Sequence, residues 1–127
     1  MTNNGYRQKD FGQPVKRYCQ FLEIEDNPKL IELYRMMHSR AEAWPEVLAG
    51  IREAGILEME LYIVGNKVVM IVDTPIDFDW DSAMARLASM PRQAEWEAAV
   101  AALQGCSPDA TSDQKWTMME RMFHLYD

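Results

Sequence analysis

Apolar and polar positions along the chain follow two patterns in turn, one typical of β-strands and one typical of amphipathic helices. Pro45 and Pro91 divide each of the two helical stretches into two pieces, because a proline disfavours helical geometry at the residue before it. A Gly-Asn pair at 65–66 between two apolar runs predicts a β-hairpin. The predicted elements, in chain order, are a strand at 16–24, helices at 28–43 and 45–54, strands at 57–64 and 67–73, helices at 83–90 and 92–103, and a strand at 115–126.

The order of these elements predicts one α+β domain at 16–127 with a ferredoxin-like, split β-α-β fold. Residues 1–15 mix Asn, Gly, Gln and Lys without a period, which predicts a flexible N-terminal lead-in. In such a fold the helices cover only one face of a four-stranded sheet. Because strands such as 68–72 are apolar on both faces, the other face needs a cover, and a second copy of the chain is the simplest one. The pattern therefore predicts a homodimer.

Composition and charge exclude several classes of partner. A net charge of −7 and a pI of about 4.8 argue against nucleic acid and anionic membranes as partners. Cys19 and Cys106 are too few for a disulfide framework, and free thiols favour a reducing cytoplasm. No apolar run reaches the ~18 residues of a membrane span, and the N-terminus lacks the apolar core of a signal sequence. We therefore expect a cytoplasmic protein.

Two residues of the first helical stretch are candidates for proton transfer. Tyr34 and His38 lie four residues apart, so their side chains leave the same face of the helix. An imidazole, with an ordinary pKa of about 6.5, moves protons near neutral pH. A phenol beside it can hydrogen-bond a hydroxyl group. The spacing also fits a surface histidine and a tyrosine of the core, so both interpretations stay open on spacing alone.

The stretch around this pair, Y-x-x-x-H at 34–38 followed by W-P-E at 44–46, resembles the L-rhamnose mutarotase family. The resemblance extends over 17–125 and includes F-x-L at 123–125. Members of this family are dimeric α+β barrels that interconvert the anomers of 6-deoxyhexoses, a proton exchange that requires neither a metal nor a redox cofactor. The resemblance implies that His38 is the acid/base residue and that Tyr34 hydrogen-bonds a monosaccharide substrate.

The family also has a pair of tryptophans near the start of its last helix, which form a wall of the sugar site. Trp96 matches the second tryptophan, whereas Glu95 replaces the first. Glu95 is thus a candidate sugar ligand, with a solvated helix glutamate as the alternative. Trp44 is interpreted either as a residue that packs the helix break or as a second ring against the sugar.

A second departure from the family pattern lies in the first strand of the hairpin. Met59 stands where members that act on L-rhamnose have a sugar-binding tyrosine, and methionine is a much weaker hydrogen-bonding group. Strand alternation places Glu58, Glu60 and Tyr62 on one face and Met59 on the other. Because buried carboxylates and phenols need partners, Glu60 and Tyr62 are further candidate sugar ligands. The roles of Glu58, and of Glu120 and His124 in the last strand, stay open.

Three stretches, at 55–60, 78–80 and 115–123, look more like the L-fucose branch of this family than its L-rhamnose branch. The two sugars share a C6 methyl group and differ in hydroxyl configuration, so a changed polar lining fits a changed substrate. The sequence therefore favours an L-fucose mutarotase. Two alternatives remain: a non-catalytic sugar-binding or sensor dimer, and a different small-molecule enzyme, such as a monooxygenase, on the same dimeric barrel.

Overall fold

A computed structural model describes residues 4–126, which form a four-stranded antiparallel sheet and five helices. The strand order is β2-β3-β1-β4, the order of a ferredoxin-like sheet, so the α+β prediction is confirmed. The elements are β1 Val15–Glu23, α1 Pro28–Met37, α2 Pro45–Glu53, β2 Glu58–Val64, β3 Lys67–Pro75, α3 Trp80–Ala88, α4 Gln93–Gln104, α5 Ser112–Lys115 and β4 Thr117–Met118.

Local signals in the sequence set the ends of the elements around α1 and the hairpin. Asn27 caps α1, because its side-chain oxygen accepts hydrogen bonds from the backbone N–H groups of Lys29 (3.0 Å) and Leu30 (3.2 Å). Pro28 occupies the first helical turn, where its missing N–H has no partner to lose. Gly65 adopts a positive φ of 58° in the tight turn between β2 and β3. The predicted helix start and hairpin are therefore confirmed.

The two faces of the sheet differ in how well they are covered. Residues of β1 and β3 alternate between buried positions on the helix-covered face and half-buried positions on the other face. The core lies between the sheet and the helices, where Val72 of β3 and Val100 of α4 are almost fully buried. The other face, which we call the open face, remains only half-buried and carries mostly apolar side chains along β1 and β3, namely Cys19, Phe21, Val69 and Ile71.

The last strand is much shorter than the predicted 115–126. Only Thr117 and Met118 pair with β1, and one further bond joins the Met119 N–H to the Cys19 carbonyl oxygen at 2.7 Å. Residues 120–126 have no strand neighbour in the described chain, and Met122 is 97% exposed. The alternation of apolar and polar residues therefore predicted a strand over 120–126, although no neighbouring strand within one copy can accept its hydrogen bonds.

The start of the predicted last strand is instead a helix. Thr111 and Gln114 form a capping box, in which each side chain bonds the other residue's backbone N–H, and this begins α5 inside the predicted loop 105–114. Lys115 consequently ends a helix and is buried, rather than opening a strand. At the other end of the chain, β1 begins at Val15, and residues 4–14 have no helix or strand. The first three residues of the predicted lead-in lie outside the described residues.

Candidate active site

A cavity of about 420 Å³ lies between the helices and the helix-covered face of the sheet. Its size is within the range of about 300–1,000 Å³ that is typical of small-molecule sites. Side chains of α1, α2 and α4 form one side, and β2 residues such as Met59 and Leu61 form the other. Four of the predicted site residues line it: Tyr34, His38, Trp44 and Trp96.

His38 is the C-cap residue of α1, and the helix backbone determines which of its ring nitrogens carries the proton. Its Nδ1 atom lies 2.7 Å from the backbone carbonyl oxygen of Tyr34. Because a carbonyl only accepts, Nδ1 must carry the proton, and in the neutral ring Nε2 keeps a free lone pair. Burial lowers the pKa of His38 below its ordinary value of 6.5, against smaller opposing effects of this hydrogen bond and of the Glu97 charge. The imidazole is therefore neutral, and able to accept a proton at Nε2, at pH 7.

Tyr34 supplies a phenol that stays protonated. Only 3% of the residue is exposed, and burial raises the pKa of its hydroxyl to about 12. The Gln104 amide Nε2 donates to the Tyr34 oxygen at 3.4 Å, and the Tyr34 and His38 rings lie 4.5 Å apart between centroids. At neutral pH the Tyr34 hydroxyl thus acts as a hydrogen-bonding group and not as a base.

Two tryptophans form a continuous aromatic wall next to the imidazole. The Trp96 ring meets His38 and Trp44 nearly edge to face, with a centroid distance of 5.3 Å in both pairs. The guanidinium of Arg92 lies 4.2 Å from the centre of the Trp44 ring, a cation–π contact on the far side of this wall. Trp44 therefore lies at the helix break, as the N-cap residue of α2, and also lines the cavity.

Sequence reasoning missed a set of buried polar residues on α4 and α5. Gln93, Glu97 and Gln104 follow the same helix face as the core residue Val100, and all three line the cavity. Lys115 donates from Nζ to the Glu97 side-chain oxygen Oε1 at 2.8 Å and to the Glu97 backbone oxygen at 2.7 Å. The signal was available in the sequence, since polar residues at the spacing of an apolar helix face indicate a polar cavity.

Three other predicted ligands lie away from this cavity. Glu95 is exposed, with a 65% exposed side chain 3.5 Å from Arg92, as its alternative interpretation expected. Along β2, Met59 and Leu61 line the cavity whereas Glu60 and Tyr62 lie on the open face, and Glu58 at the start of the strand also lines the cavity. On the open face the Tyr62 ring packs against Tyr6 at 5.8 Å, and Gln8 reaches the Glu60 carboxylate at 3.5 Å. The structure therefore separates Glu60, Tyr62 and Glu95 from His38 within one copy.

Two kinds of feature are absent from residues 4–126. No group of three or more His, Cys, Asp or Glu side chains in this range is arranged to hold a metal ion. Over the same range, the helices are all too short or too polar to cross a membrane.

A neutral imidazole, a protonated phenol, an aromatic wall and a buried carboxylate around one cavity can perform acid/base chemistry on a small polar molecule. Sequence comparison shows the family to which the chain belongs. Residues 17–125 match the L-rhamnose mutarotase family, and the chain belongs to that family. The resemblance drawn from the motifs at 34–38 and 44–46 is thus confirmed.

The chain is also similar to individual proteins. The chain is 35% identical over 111 residues to an L-fucose mutarotase of Xanthomonas campestris pv. campestris, a match that covers 87% of this chain and 89% of the relative. It is 25% identical over 114 residues to a UPF0734 protein of Dictyostelium discoideum, covering 87% and 90% of the two chains. The crystal structure of an L-rhamnose mutarotase from Formosa agariphila superposes with a TM-score of 0.65 at 18% identity, covering 87% of this chain and 99% of the other. This last likeness concerns the fold alone.

Proposed function

We propose that this protein interconverts the α and β anomers of a 6-deoxyhexose and that it prefers L-fucose to L-rhamnose. The single observation that carries the acid/base assignment is the 2.7 Å contact between His38 Nδ1 and the Tyr34 carbonyl oxygen, which leaves Nε2 as a base beside the aromatic wall. The 35% identical L-fucose mutarotase supports the preference for that sugar.

The proposed reaction opens and recloses the sugar ring. His38 Nε2 removes the proton of the anomeric hydroxyl while the bond between the anomeric carbon and the ring oxygen breaks, and the imidazolium passes this proton, directly or through a water molecule, to the ring oxygen. The anomeric carbon becomes a carbonyl, and rotation about its bond to C2 presents its other face. Reclosure reverses the proton transfers and returns His38 to its neutral form. Tyr34, protonated because of its raised pKa, donates a hydrogen bond to a sugar oxygen during these steps.

The aromatic wall suits the apolar side of a 6-deoxyhexose. Trp96 and Trp44 offer flat apolar surface for the ring carbons and the C6 methyl group. Met59, which lines the opposite side, presents an apolar side chain where members that act on L-rhamnose have a sugar-binding tyrosine. A cavity that lacks that phenol loses a hydrogen bond to L-rhamnose, and this supports L-fucose as the better substrate.

The homodimer is also part of the proposal. The open face is half-buried and carries mostly apolar side chains along β1 and β3, and residues 120–126 expose large apolar side chains with no strand neighbour in the described chain. We call residues 120–126 the C-terminal arm. A second copy of the chain would cover the open face and would also bury the apolar side chains of this C-terminal arm. We further propose a cytoplasmic location, supported by the free thiols of Cys19 and Cys106.

Saturation transfer between the anomer signals of a sugar in proton NMR tests the activity directly. We expect the protein to speed exchange of L-fucose more than exchange of L-rhamnose at equal concentration. Equal acceleration of both sugars would contradict the L-fucose preference but leave the mutarotase activity. Sugar binding without acceleration would indicate the sensor alternative, and no response to either sugar would contradict the whole assignment.

A further inference from the structure

The Glu97 cluster, which we define as Glu97, Lys115 and Gln93, is a buried polar group in the wall of the cavity. Glu97 is 8% exposed, and no part of the Lys115 side chain reaches solvent. A buried ion pair contributes little net stability, since the loss of hydration offsets the attraction, and a well-packed apolar pair often serves folding as well. The fold alone therefore gives no strong reason for an ion pair at this position.

Lys115 and Gln93 hold the Glu97 carboxylate in a fixed orientation. Lys115 Nζ donates to Oε1 at 2.8 Å, and Gln93 Nε2 donates to Oε2 at 2.7 Å. Each carboxylate oxygen has two acceptor positions. Neither oxygen receives another hydrogen bond from residues 4–126, so both keep one position free. The Glu97 carboxylate is thus held in one orientation, and only half of its acceptor positions are occupied.

Gln93 adds a third free acceptor. The residue is 4% exposed and lines the same cavity, and its Oε1 atom has no hydrogen-bond donor within the described chain. The orientation of the amide follows from its partner, because a carboxylate at 2.7 Å requires the NH₂ group on its side. An unpaired buried acceptor costs free energy, which a donor brought by a ligand recovers.

The cluster and the imidazole border the same space. Trp96, the neighbour of Glu97 on α4, contacts the His38 ring, and both Glu97 and His38 line the cavity. Several free acceptors select a ligand rich in hydroxyl donors and offer no hydrogen bond to a phosphate or a carboxylate. This chemistry fits a neutral sugar and disfavours sugar phosphates and sugar acids.

We propose that the Glu97 cluster binds the ring hydroxyl groups of the sugar and thereby sets which hydroxyl configuration the cavity accepts. Glu97 accepts hydrogen bonds from two hydroxyls through its two oxygens, and Gln93 Oε1 accepts from a third. Lys115 acts as a positioning residue, because it touches the carboxylate and not the sugar. This inference rests on the proposed function, since it assigns a role in the same cavity.

Two double variants separate sugar binding from folding. Glu97→Leu with Lys115→Met replaces the ion pair by an apolar pair, and Glu97→Gln with Lys115→Met keeps a partner for Gln93 while it removes both charges. Glu32→Gln is the matched control, because Glu32 is an exposed carboxylate on α1 and lies outside the cavity. The readouts are urea unfolding and the dissociation constant for L-fucose, followed by the fluorescence of the cavity tryptophans.

We expect both double variants to fold and to bind L-fucose roughly 10- to 100-fold more weakly, the scale of hydrogen bonds to a charged group. Monodeoxy analogues of L-fucose, each without one ring hydroxyl, identify the groups that are bound. For at least one analogue, the wild-type protein should bind the analogue more weakly than it binds L-fucose. The double variants should bind that analogue and L-fucose with equal affinity.

An affinity within about twofold of wild type in a folded double variant would overturn the inference and leave the cluster as a structural ion pair. The same conclusion follows if every analogue loses equal affinity in the wild type and in the variants. A wild-type protein that binds L-fucose without exchanging its anomers overturns the proposed function alone. One that binds no 6-deoxyhexose overturns both.

Discussion

The backbone carbonyl of Tyr34 accepts a hydrogen bond from His38 Nδ1 at 2.7 Å, so one turn of α1 sets the tautomer of the imidazole. The contact places the proton on Nδ1 and the free lone pair of the neutral ring on Nε2. A helix backbone thus performs the orienting role that a carboxylate has in many acid/base sites. The chemistry proposed for this cavity depends on that one contact.

Replacement of His38 by alanine should lower the rate of L-fucose anomer exchange by roughly 10²–10⁴-fold, the usual contribution of a general acid/base group. NMR saturation transfer measures the rate, and circular dichroism shows whether the fold is intact. The matched control is Arg35→Ala, which removes an exposed side chain from the same helix outside the cavity. A folded His38→Ala protein with full activity would remove His38 from the mechanism.

The exchange rate should fall on the acid side of neutrality, because only the neutral imidazole accepts a proton. Burial lowers the pKa of His38, so the midpoint of the fall should lie below the ordinary value of 6.5. The same shift lowers stability as the pH falls below 6.5, since the unfolded chain then binds more protons than the folded one. A rate profile that stays flat from about pH 8 down to about pH 5 speaks against His38 as the base.

Tyr34 should remain protonated at pH values where exposed tyrosines ionise. Its pKa is raised to about 12 by burial, so ultraviolet difference titration near pH 10 should give the same change for Tyr34→Phe as for wild type. Loss of the Tyr34 hydroxyl should also slow L-fucose exchange by roughly tenfold, as expected for one hydrogen bond. An unchanged rate would exclude the hydroxyl from sugar contact.

Substitution of Met59 by tyrosine should shift the preference toward L-rhamnose. The side chain lines the cavity, and a phenol there restores a hydrogen-bonding group that members acting on L-rhamnose have. We expect the rate ratio of L-rhamnose to L-fucose to rise by roughly tenfold, the scale of one polar contact. Met59→Phe is the control, because it adds the ring without the hydroxyl. An equal shift in both variants would mean that shape, and not the hydrogen bond, changed the ratio.

Removal of the chain after Glu120 should convert a dimer into a monomer. The deleted segment carries exposed apolar side chains, among them Met122 and Phe123, which we propose to dock on the partner's open face. Sedimentation equilibrium of full-length and shortened chains measures the change. Phe123→Ser in the full-length chain weakens the same contact without shortening the backbone. A full-length protein that sediments as a monomer would contradict the dimer itself.

The sequence alone determined the order of all elements except α5, the hairpin, and the placement of Tyr34 and His38 on one helix face. These follow from local physics: a cap at Asn27, a two-residue turn, and a helix that places residues four apart on one face. The strand predicted at 115–126 is too long, because a strand forms only where the edge of a neighbouring strand accepts its hydrogen bonds. The local pattern carries no information about that edge.

Only the tertiary structure decided which polar residues share the cavity. Glu60 and Tyr62 have chemistry suited to a sugar, yet they lie on the open face of the sheet, away from His38. Glu97 and Lys115 belong to different helices and meet because the chain folds back after α4, which brings Lys115 at the end of α5 to Glu97. Such a pair depends on how elements pack, and residue spacing reaches only as far as one helix or strand. The sequence thus predicted the helix that carries the His38 imidazole, and the packing of the helices brought the Glu97 carboxylate into the same cavity.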